Sequence, residues 1–187
     1  MKFSYKLSGI GWADVHLQIE DSEIYINTSY LSEPLIDLVR SIEYLLPECT
    51  PMDEVKDVVQ FEWNSEPAIH RWRFEKTKNG KVQIEIVVYV DGLTSTPGKL
   101  EFKEECEIDL FIKEVIFSLE GILKQHGIVG YRKQWYAGDF PISSYLQLRN
   151  YLLHKSNFTI NIKNQDEWNE CIESNLSNEL EIIKTIL

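Results

Sequence analysis

A chain of 187 residues with 19 Lys and Arg against 30 Asp and Glu has a formal net charge of −11 and a pI near 4.8. That balance is a poor match for a phosphate backbone, whose binding depends on clustered cations. Hydrophobic residues at 43% and aromatics at 12% are too many for a disordered acidic tail and enough for one ordinary core, while no apolar run approaches the roughly 18–20 residues that span a bilayer.

Residues 1–30 read as a three-stranded meander. Phe3, Tyr5 and Leu7 alternate with polar positions, and Gly9-Ile10-Gly11 turns the chain. Ala13, Val15, Leu17 and Ile19 then share one face, and Asp21-Ser22 turns into Ile24, Ile26 and Thr28. A helix is predicted over 32–46, with Ser32 as N-cap, Pro34 in the first turn, and Leu35, Leu38, Val39, Ile42, Leu45 and Leu46 at helical spacing. Pro47 and Pro51 stop it.

A second meander spans 57–107. Val59, Phe61 and Trp63 share a face, as do His70, Trp72 and Phe74, and Asn79-Gly80 is the strongest hairpin signal in the chain. Ile108 to Leu123 repeats apolar residues at i, i+3, i+4 and i+7, which predicts a helix over 108–126 capped by Gly127. Residues 128–140 form an aromatic and basic connector, and 141–187 a helical tail in which Asp166 to Leu187 is the last helix. The expected fold is one α+β domain. Its antiparallel sheet would have about six or seven strands, with amphipathic helices mainly on one face.

No metal centre or cofactor is predicted. His16, His70, His126 and His154 are scattered without an i, i+4 pair, and neither a P-loop, a dinucleotide fingerprint nor a nucleophile elbow is present. Cys49, Cys106 and Cys171 are an odd, widely spaced set that reads as reduced thiols. Strand-like alternation at the N-terminus is unlike a signal peptide, so the expected location is cytoplasmic.

Two segments carry the candidate site residues. In Glu66-Pro67-Ala68-Ile69-His70-Arg71-Trp72-Arg73, strand alternation puts Arg71 and Arg73 on one face and His70 on the other. Two neighbouring guanidiniums can clamp a carboxylate or phosphate; alternatively, they can form sheet ion pairs with Glu62, Glu85 or the neighbourhood of Glu75. Counted from Gly127, the connector sets Tyr131, Arg132, Trp135 and Tyr136 among three glycines, and Tyr, Trp and Arg are residue types that dominate interface hot spots. The same aromatics can instead fold back over the core.

Charge is uneven. Residues 1–60 are net −7 and residues 161–187 net −4, while residues 61–100 are net +1. The segments Gly9-Ile10-Gly11-Trp12-Ala13-Asp14, Ser29-Tyr30-Leu31-Ser32-Glu33 and Glu66-Pro67 with Arg71-Trp72-Arg73 resemble a family of small bacterial cytoplasmic proteins that has no assigned activity. The resemblance covers about the first half of the chain. Size, acidity and α+β make-up are also similar to immunity proteins of bacterial toxin systems. Together these predict a non-enzymatic protein-binding module for a basic partner, immunity-type against a basic toxin, with neither nucleic acid nor membrane as ligand. Two alternatives stay open. One is a small-anion-binding domain or enzyme using Arg71, Arg73 and His70; the other is a homodimer joined through the sheet or terminal helix.

Overall fold

The computed structural model describes residues 1–136 and 138–186. Its α+β class agrees with the alternation and periodicity of the sequence. Strands β1 (Lys2–Gly9), β2 (Trp12–Ile19) and β3 (Ser22–Ser29) form an antiparallel meander, followed by helix α1 (Pro34–Tyr44). Strands β4 (Val58–Ser65), β5 (Ala68–Lys76), β6 (Lys81–Tyr89) and β7 (Lys99–Glu107) form a second meander, followed by helix α2 (Ile108–Gln134). Helix α3 (Ile142–His154), the short hairpin β8 (Ile160–Lys163) and β9 (Cys171–Ser174), and helix α4 (Leu176–Lys184) complete the chain.

The seven long strands expected in one sheet divide into ladders of three and four. At the β3–β4 junction, side chains replace a backbone ladder. The Thr28 hydroxyl donates to the Asn64 carbonyl at 3.0 Å, and the Ser32 hydroxyl accepts from the Asn64 N–H at 2.9 Å. At the other end of β3, Ser22 donates to the Glu104 carboxylate on β7 at 2.5 Å. β3 therefore runs across the four-stranded sheet from β7 to β4.

Both sheets and the helices share one core. Tyr5, Val15 and Leu17 from the first sheet pack with Trp63, Trp72, Phe74 and Ile84 from the second and with Leu38, Ile42, Phe111 and Val115 from the helices. Helix α2 also closes the open edge of β1. Glu114 accepts from the Phe3 N–H at 3.4 Å, and Ser118 donates to the Phe3 carbonyl at 3.2 Å. Such edge groups would otherwise offer a template to another strand.

Three helix expectations change. Ser32 is not the cap of α1: its hydroxyl is committed to Asn64, and Glu33 holds the N-cap position without a side-chain bond. Gly127 ends the first helical segment of α2 as expected, at φ 65° and ψ 177°, a conformation that favours glycine, but a second segment carries the helix on to Gln134, where a non-helical connector was expected. Residues 160–174 form a hairpin rather than helix, because Ile160, Ile162 and Ile172 pair as strand residues across a polar turn. The Asn79-Gly80 turn is present as expected, with φ of 65° and 74°.

Two glycines separate space from conformation. A Cβ on Gly92, which has φ +73°, would lie 2.5 Å from the Pro67 carbonyl oxygen, whereas one on Gly121, on the exposed side of α2, would meet nothing within 4 Å. Gly92→Ala is expected to destabilise the fold by about 1–3 kcal/mol and Gly121→Ala to stabilise it by about 0.5–1 kcal/mol. Chemical-denaturation midpoints of the two variants check both signs.

Candidate functional site: the Tyr30–Tyr136 corner

The strand candidates do not form an anion clamp. Arg71 is engaged in a fork with Glu62, Nη2 at 2.6 Å and Nε at 2.7 Å from Oε1, and its Nη1 donates to the Tyr89 hydroxyl at 2.5 Å. Arg73 lies 2.7 Å from Glu75 and 3.6 Å from Glu85, and Glu85 also pairs with Lys103 at 2.7 Å. The outer face of the second sheet is thus a ladder of cross-strand ion pairs, the second of the two arrangements open to these arginines.

His70 faces the core opposite them. It is 8% exposed, with Nδ1 3.0 Å from the Ser65 hydroxyl oxygen. Burial pushes its pKa down to about 4, with Glu101 working weakly the other way, so the imidazole is neutral at pH 7. The face alternation of β5 keeps it from meeting Arg71 and Arg73.

The connector divides by helical spacing. Because α2 continues past Gly127, Tyr131 and Trp135 (i, i+4) point inward and are buried, whereas Arg132 and Tyr136 (i, i+4) point outward. Tyr131 and Trp135 stack at 6.4 Å, Trp135 meets Tyr5 at 6.3 Å, and Tyr5 meets Trp63 at 6.3 Å. Arg132 pairs with Asp139 at 3.3 Å on the surface, and the Tyr136 ring lies 5.1 Å from Tyr30. Half of the connector is therefore core and half is surface.

The surface half meets three other segments. Gly11, at φ +73°, donates its N–H to the Gln134 carbonyl at 2.8 Å and accepts from the Tyr30 N–H at 2.9 Å. A Cβ there would lie 2.7 Å from the Tyr30 ring, so the β1–β2 turn, the β3–α1 loop and the end of α2 are held together through a residue that has to be glycine. The Asn64 side chain donates to the Leu31 carbonyl at 3.5 Å, bringing in the end of β4. The resulting corner exposes Ile10 (68%), Tyr30 (43%), Leu31 (57%) and Tyr136 (64%).

Carboxylates border these apolar groups. A Cβ on Gly138 would sit 2.6 Å from Glu33 Oε2 and 2.7 Å from Trp135 Cδ1, so the carboxylate and the indole both press against the 138 backbone. Burial raises the Glu33 pKa, the facing Trp135 N–H lowers it, and Asp139 raises it again. One turn along α1, burial and then Glu33 raise Asp37 to about 6. Among the described residues neither Glu33 nor Asp37 makes an ion pair. Both carboxylates would gain from a cation supplied from outside.

Sequence reasoning missed Ile10, Leu31, Glu33 and Asp37 as parts of one surface. The available signal was the pair of segments Gly9–Asp14 and Ser29–Glu33, which converge here. Comparison of the chain with protein-family models, curated proteins and solved structures gives no match. Among the described residues no three His, Cys, Asp or Glu side chains gather as metal ligands, and no helix is long and apolar enough to cross a membrane.

The buried imidazole gives a pH test. Folded, it takes a proton only near pH 4, whereas the unfolded chain takes it near 6.5. The unfolded state therefore binds more protons in that window, and stability falls as pH drops from about 6.5 to about 4. Asp37 acts in the opposite sense: its raised pKa stabilises the fold at low pH, and that contribution is lost as pH rises through about 6. Comparing wild type with His70→Asn in denaturant titrations at pH 7 and pH 4 isolates the histidine. The wild type is expected to lose up to about 3 kcal/mol more than the variant, and equal losses would contradict a buried neutral His70.

Proposed function

We propose that the chain is a non-enzymatic protein-binding module whose Tyr30–Tyr136 corner docks a basic protein partner. The observation that carries this reading is the juxtaposition of two exposed tyrosines with Glu33 and Asp37, partly desolvated carboxylates that make no ion pair among the described residues. Tyrosine supplies large contact area at low entropic cost, and the four exposed apolar groups stand on a rigid buried backing of Tyr131, Trp135 and Tyr5. A lysine or arginine from the partner would restore counter-charge to Glu33 and Asp37 as the interface closes. The surplus negative charge of residues 1–60 would speed encounter.

The chemistry fits an immunity-type protein that covers a cationic toxin, acting by occlusion in a bacterial cytoplasm. Occlusion needs no catalytic group, and with Arg71 and Arg73 already paired the anion-clamp alternative draws no support from the geometry. The homodimer reading draws on a different feature, the hairpin that exposes Ile160, Ile162, Ile172 and Trp168. Sedimentation equilibrium distinguishes it, since a mass near 22 kDa at all concentrations removes a dimer.

Affinity capture from bacterial lysate at low salt tests the docking corner. A partner with pI above about 9 should be retained by the wild type and by Arg73→Ala. It should be lost from Tyr30→Ala/Tyr136→Ala and weakened at least about 30-fold, as expected for hot-spot residues, in Glu33→Gln/Asp37→Asn. No basic partner, or one retained equally by the corner variants, would refute this assignment.

A further inference from the structure

A cavity of about 710 Å³ opens between the loop after α1, the first half of α3 and the tail from Asn157 to Ile183. Its volume lies within the range of small-molecule sites, roughly 300–1,000 Å³. None of its residues belongs to the Tyr30–Tyr136 corner. Met52, Leu146, Phe158 and Ile183 supply apolar wall, and Glu48 and Glu179 supply the charge. The lining contains no lysine, arginine or histidine.

A third carboxylate stands behind this wall. Glu43 on α1 is only 2% exposed, and neither of its carboxylate oxygens has a hydrogen-bond partner. The Thr50 hydroxyl, from the cavity lining, donates to the Glu43 backbone carbonyl at 2.9 Å. Arg40, on the solvent side, is the nearest cation at 3.6 Å. Cys49, also in the lining, reports the field: burial, then Glu43 and Glu48, push its thiol up to about 12. At neutral pH it is a small apolar wall group and no nucleophile.

An apolar pocket whose charged groups are all negative selects against anions and gives neutral apolar molecules no polar anchor. We propose that this cavity is a binding site for a small amphipathic cation, an ammonium group carried on an alkyl or aryl body. The body lies against Met52, Leu146, Phe158 and Ile183. The head sits at Glu48 and Glu179, the two carboxylates of the lining. Ser174, which donates to Glu179 and also lines the cavity, fixes that carboxylate toward the site.

The test uses the full chain and three probes of equal length, n-octylammonium, octanoate and 1-octanol, at pH 7 and low salt. Calorimetric titration should give saturable binding of octylammonium, with affinity at least tenfold above octanol and no measurable binding of octanoate. Glu48→Gln/Glu179→Gln, which changes two residues at the rim of the pocket, should weaken octylammonium at least tenfold while leaving the thermal midpoint near wild type. Isoleucine-methyl NMR should show octylammonium shifting Ile142 and Ile183 and leaving Ile10 unmoved. Equal binding of octanol or octanoate, unchanged affinity in the double variant, or shifts confined to Ile10 would each overturn the proposal. None of these results depends on whether the Tyr30–Tyr136 corner binds a protein.

Discussion

The structure depends on a continuous run of aromatic contacts through its centre. Trp63 and Trp72 are neighbours across β4 and β5, with ring centroids 4.5 Å apart; Trp72 packs edge-on to Phe74 at 6.1 Å, and Phe74 to Phe111 of α2 at 5.5 Å. From Trp63 the run continues through Tyr5 of β1 to Trp135 and Tyr131 at the end of α2. Two sheets with no shared backbone ladder are thus joined by side chains, each pair adding about 0.5–1.5 kcal/mol beyond its buried area. The run ends beneath the Tyr30–Tyr136 corner. Rigidity there follows from the core rather than from the loops that form the surface.

Charge is arranged on a different principle. On the outer face of the second sheet every arginine is matched by a glutamate, so this region is locally neutral and interacts weakly with anything beyond it. Four other carboxylates stand beside apolar groups. Glu33 and Asp37 flank the aromatic corner, and Glu48 and Glu179 line the cavity beside α3. A carboxylate beside apolar surface is poorly hydrated and therefore raised in pKa, as Asp37 is. The same desolvation makes an incoming cation count for more than it would at an open surface.

The strand content was legible because period-2 alternation is a direct consequence of one buried face. Ala13, Val15, Leu17 and Ile19 are all buried, as are His70, Trp72 and Phe74. The split into two ladders was not legible, since it is decided by Thr28 and Ser32 bonding Asn64, contacts 32 and 36 residues apart in sequence. The break at Gly127 was legible, but the helical segment beyond it was not, since burial of Tyr131 and Trp135 against the core favours that further turn of helix. That segment sorts the connector into buried and exposed halves. Without it Tyr131, Arg132, Trp135 and Tyr136 can only be read as a single patch. The tail failed as helix because Ile160, Ile162 and Ile172 have strand propensity and find one another across a polar turn, while their spacing to Leu176 and Leu180 mimics a helical stripe.

Gly11 shows how narrow the tolerance at the Tyr30–Tyr136 corner is. Its amide reaches the end of α2, its carbonyl the start of the β3–α1 loop, and its missing side chain is the space the Tyr30 ring occupies. The exposed tyrosine is therefore placed by the same residue that turns β1 into β2. A surface formed only for solubility would not need three chain segments locked in register through a glycine at positive φ, since exposed loops ordinarily tolerate insertion and drift. The locking has a thermodynamic consequence for recognition: a preorganised tyrosine pair loses little entropy on binding, so more of its contact energy survives as affinity. On the proposed reading, negative charge would govern how fast a basic partner arrives, and the rigid aromatics how long it stays.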